Sequence, residues 1–156
     1  MSRVPRLLLA MPSFSLLIGL MVTVFLHFAP IQGLSVDELV AANKEIMLGF
    51  SFAVLLLPTA TVPLVADLVM RTSKLGVRFN PKLFNDYIDG SFVSAFYALV
   101  TLIFVMIFSI TKWVIAAYIA VTSFASVVVT LLLLLVGLHG LARSVYQALF
   151  AEGLQG

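Results

Sequence analysis

Four stretches of the chain run for about twenty residues with almost no charge, and nothing else in the sequence restricts the fold as severely. A helix rising 1.5 Å per residue crosses a hydrocarbon layer of about 30 Å in that length. The stretches are Leu7–Phe28, Ile46–Met70, Ser91–Ile110 and Val114–Leu138. Hydrocarbon offers no water to unbonded backbone, so each stretch is expected to be helical. The expected fold class is therefore an all-α integral membrane protein. It has four transmembrane helices in a single domain, residues 1–156, with an external loop at 29–45 and a cytoplasmic loop at 71–90.

The composition agrees with lipid as the solvent. Hydrophobic residues make up 62% and charged residues 10%, whereas soluble domains hold about half and about a quarter. Cysteine is absent, which removes disulfides, thiolate nucleophiles and cysteine metal sites. A net charge of +2 gives no reason to expect nucleic acid as a partner. The basic residues are topology signals instead. Arg3, Arg6, Arg71, Lys74, Arg78, Lys82 and Arg143 fall on one side of the four runs, and only Lys44 and Lys112 on the other. Both termini are thus expected to be cytoplasmic, in the cell (cytoplasmic or inner) membrane. The run from Leu7 is too long for a signal-peptide core, and Pro30 spoils cleavage after Ala29, so a retained signal anchor is expected.

The second run carries Pro58, Thr59, Thr61, Pro63 and Asp67. Each proline lacks an N–H and clashes with the carbonyl four residues back, so the helix should bend over Pro58–Pro63 and turn this segment toward protein. Upstream, Ser35 and Glu38 have the spacing of a capping box. A helix from Val36 to Met70 would be about 35 residues and about 52 Å long. The second helix is expected to extend outside the bilayer and bend at Pro58/Pro63.

In the third run Phe92, Phe96, Phe104 and Phe108 recur at multiples of four and suggest a stripe along one side. Lys112 and Trp113 mark an interfacial turn. Ala116, Ala120 and Ser123 form a small-residue face suited to close packing, and Leu131–Leu135 reads as lipid-exposed. After Asn80-Pro81, the spacing of Leu83, Phe84 and Tyr87 suggests a short amphipathic helix at the interface. The tail beyond Gly140 is expected to fray.

The candidate functional positions follow from this reading. A proline-broken helix beside a carboxylate is the arrangement of transporter coupling sites, which singles out Asp67, Pro58, Pro63, Thr59 and Thr61. The competing reading pairs Asp67 with Arg71 one turn away. Arg71, Lys74, Arg78 and Lys82 are candidate contacts for lipid headgroups or a partner, or are topogenic charge alone. His27 and His139 fall at opposite ends of the spans and cannot share a haem within one chain. There is no nucleophile–base pair, metal-ligand spacing, phosphate loop or dinucleotide fingerprint. No enzyme activity, metal or cofactor is expected. The expected function is a non-catalytic multi-pass subunit or assembly factor of a larger membrane complex, in contact with lipids and other membrane subunits. The alternatives are a small oligomeric transporter or pore component using the broken helix and Asp67, and a haem or quinone anchor.

Overall fold

The computed structural model describes residues 11–74 and 81–153. Arg3, Arg6, the first four residues of the run from Leu7, and Arg78 lie outside them, as do the side chains of Lys74, Lys82 and Arg143. The elements are α1 (Met11–Phe28), a 3-10 turn (Ile31–Gly33), α2 (Val36–Leu55), α3 (Leu57–Lys74), α4 (Pro81–Thr111) and α5 (Val114–Gly153). No strand occurs among the described residues. Three helical stretches are long and apolar enough to cross a membrane: Val36–Arg71, Phe84–Thr111 and Val114–His139. A shorter apolar helix, Pro12–Phe28, accompanies them.

Helix α2 begins where its capping signal lies. The Ser35 N–H and hydroxyl both donate to Glu38 Oε2, each at 2.8 Å, and the capping box is complete. The Ser35 N–H foremost, then its hydroxyl, holds the Glu38 carboxyl below the usual carboxylate range. A carboxylate depressed in the folded state stabilises above its ordinary pKa and ceases to do so as pH falls through the lowered one. In a pH titration in detergent micelles, the Ser35 amide resonance should therefore move with a midpoint below that of an ordinary glutamate. A midpoint at or above the ordinary value would contradict the cap.

The expected bend over Pro58–Pro63 needs correction. The discontinuity is at Leu56, whose N–H turns back to the Val54 carbonyl, while Thr59 N–H reaches the Leu56 carbonyl at 3.1 Å. Pro63 stays inside α3. Pro58 sits at the second position of α3, where a helix tolerates a missing N–H, and its ring disturbs the turn before it. Pro63 lacks such a terminus and leaves a gap in the ladder of a continuing helix.

Two other boundaries differ from expectation. α4 starts at Pro81, so the segment expected as a separate interfacial helix is the first part of the third span. Proline supplies a preset first-turn φ, and Gly90 is buried in the packed helix without breaking it. α5 continues through Gly137 and Gly140 to Gly153, because an isolated glycine costs a helix only about 1 kcal/mol.

α5 is the centre of the packing, in contact with α1, α2 and α4. Ala116, Ala117 and Ala120 are fully buried there, among Val40 of α2 and Val105 of α4. α1 and α5 run antiparallel. Ser126 of α5 meets Ser15 of α1, whereas Thr122, earlier on α5, meets Thr23, later on α1. α4 and α5 are joined by Lys112 and Trp113 alone, with Lys112 in the left-handed region at φ 55°. The Trp113 N–H donates to the Thr111 hydroxyl and the Lys112 ammonium lies 5.5 Å from the Phe108 ring centre. α3 differs from the rest in packing mainly against α4.

Candidate functional site

The interior of the bundle is a lattice of hydroxyls. Ser and Thr side chains in helices bond the carbonyl three or four residues back, and so enter an apolar interior already satisfied. Thr101 donates to Tyr97 O and lies 2.9 Å from Ser123 Oγ, which in turn donates to Ile119 O. The Ser126 hydroxyl lies 2.8 Å from Thr122 O and 3.1 Å from Ser15 O, so its one proton is shared between the two carbonyls. The Thr23 and Thr122 hydroxyls are 2.8 Å apart, and Tyr97 OH reaches the Pro12 carbonyl at 2.7 Å. These bonds tie α1, α4 and α5 together at several depths. The Ser51 hydroxyl of α2 is the exception, buried with no hydrogen-bond partner among the described residues.

Gly19 allows a close approach of α1 to α5. A Cβ there would collide with the Thr122 carbonyl oxygen and with Ser126 Oγ. The close contact brings Thr23 within reach of Thr122, and Ser126 within reach of Ser15.

The polar residues of the second span divide between two faces of α3. Pro58, Thr61 and Val65 are buried, and the Thr61 hydroxyl donates to Ser91 Oγ of α4 at 3.1 Å. Thr59, Pro63, Asp67 and Arg71 are exposed and follow one another at intervals of four along the outer side. The segment expected to face protein therefore does so along one stripe only. Asp67 Oδ2 and Arg71 Nε form an ion pair at 2.9 Å, with 58% and 77% of the two side chains exposed. The Thr59 hydroxyl donates to Leu56 O at 2.6 Å. Of the four basic candidates, Arg71 is accounted for by that pair; Arg78 and the side chains of Lys74 and Lys82 fall outside what is described.

No family model, curated protein or solved structure matches this chain. The assignment of a site rests on geometry alone.

That geometry includes a buried acid that is not among the positions singled out from the sequence. Asp86 lies in the second turn of α4 and is 8% exposed. Its signal was the spacing of Phe84 and Tyr87 around it, which marks a helix, but spacing does not show that a neighbour covers the polar edge. The imidazoles are well separated. His27 Nδ1 lies 2.7 Å from Tyr118 OH at the start of α5, and His139 is twenty-one residues farther along that helix, about 31 Å. Among the described residues no three His, Asp or Glu side chains gather in a metal-binding group.

Proposed function

We propose that this chain is a non-catalytic subunit or assembly factor of a larger membrane complex, crossing the bilayer four times with both termini on the cytoplasmic side. The observation that carries the reading is the unequal cover of the helices. α5 packs against α1, α2 and α4, while α3 packs mainly against α4 along one stripe and leaves Thr59, Pro63, Asp67 and Arg71 exposed on its open side. In lipid, helices associate through close packing and hydrogen bonds rather than through apolar burial. A half-covered helix with polar groups on its open side is therefore suited to another subunit. The hydroxyl lattice supports the same reading, since its bonds join helix to helix and serve packing.

Purification in native nanodiscs followed by mass measurement tests the proposal. A species heavier than one chain, containing a second protein at fixed stoichiometry, is expected. A homogeneous species at the mass of one chain overturns it. Cysteines introduced at Lys44 and Arg78 should label from opposite faces of the membrane, and labelling from the same face refutes the topology. The transporter alternative is favoured by one feature, the helix break at Leu56, and predicts ion flux in liposomes that falls with Asp67→Asn.

A further inference from the structure

The outer face of α3 carries hydrogen-bond acceptors in the wrong solvent. Pro63 has no N–H to give the Thr59 carbonyl, so that carbonyl lacks its usual helical donor. The Thr59 hydroxyl has spent its proton on Leu56 O and offers only lone pairs. Thr59 and Pro63 are both exposed. Arg71 lies twelve residues beyond Thr59, about 18 Å along the axis. With Arg71 at the membrane surface, the carbonyl falls close to the middle of a core about 30 Å thick. A backbone carbonyl without a donor is least tolerable at that depth.

We infer that the Thr59–Pro63 ridge of α3 is the docking surface for a transmembrane helix of another protein that presents a hydrogen-bond donor at mid-membrane. The inference rests on the subunit reading above and names the chemistry of the partner. Lipid tails have no donors. A second copy of this chain, meeting the ridge with its own ridge about an axis normal to the membrane, would set acceptors against acceptors and Asp67 against Asp67. The Asp67–Arg71 pair is internally neutralised, so a charged partner is not required. A neutral donor is complementary to what the ridge offers.

The test uses the full chain in phosphatidylcholine vesicles and synthetic polyleucine helices carrying one central Trp, Phe or Leu. The indole N–H donates and does not accept, which suits an acceptor-only ridge and limits pairing of the peptide with itself. The chain has no native cysteine, so a dye on Lys44→Cys reports association by energy transfer. The Trp helix is expected to associate roughly tenfold more tightly than the Phe helix. Pro63→Ala supplies the missing N–H and is expected to remove most of that preference; Thr59→Val is expected to remove a smaller part. Circular dichroism of both variants checks that the fold is retained. Equal association of the three peptides overturns the inference and leaves the subunit reading intact. So does a Trp preference that survives in Pro63→Ala, or self-association of the chain that Pro63→Ala abolishes. A water-accessible Thr59→Cys that binds no peptide also overturns it, and makes the ridge the wall of an aqueous path.

Discussion

Replacing Gly19 by valine is expected to part α1 from α5 and to have the largest effect of any single substitution here. Of the two groups in the way of a new side chain, Ser126 Oγ can rotate but the Thr122 carbonyl belongs to a helix backbone. The helices must therefore separate, and the Thr23–Thr122 and Ser126–Ser15 contacts stretch with them. Overpacking of this kind costs about 1–3 kcal/mol in a close-packed interior, and the loss of interhelical bonds adds to it. Reversible unfolding in mixed micelles should show the loss. Gly49→Ala is the control, because nothing lies within 4 Å of a Cβ at that position. Unfolding of Gly19→Val indistinguishable from that of the unaltered chain would mean α1 does not sit on α5 in this register.

Ala120→Leu is the second substitution with a large expected effect. Ala120 is fully buried in the cluster formed with Val40, Val105 and Phe108. Three added carbons have no space at native packing density, so a loss of about 1–3 kcal/mol is expected. Ile115, on the same helix, is 54% exposed, and Ile115→Ala should leave unfolding nearly unchanged. Comparable losses for both would show that the buried face of α5 has been assigned to the wrong side.

Structure is legible in the residues where one local rule decides the outcome. The capping box at Ser35 and Glu38 and the small face of Ala116, Ala120 and Ser123 are legible because spacing alone determines them. It ceases to be so where rotation about a helix accumulates. Phe92 and Phe108 lie at a multiple of four, but sixteen residues at about 100° each place them about 160° apart. Phe92 is accordingly 56% exposed and Phe108 5%. The same applies to α3. Proline chemistry identifies a disturbed segment, but which proline breaks the helix depends on distance from its start, and which face is covered depends on α4. Asp86 was hidden for a related reason. An amphipathic helix after Pro81 is expected to keep its polar residues toward water, and only the packing of α4 shows that Asp86 is covered.

The connection of Lys112 and Trp113 also bears on how the protein is made. Two residues leave α4 and α5 no slack between them. The two helices fold back on each other as a hairpin, which sets Phe108 and Ala116 in one cluster beside the turn. α1 can dock only afterwards, because Thr122 and Ser126, against which Gly19 fits, are synthesised more than a hundred residues later. Until then Gly19 has nothing to close against, and a helix made late completes the packing site of one made early.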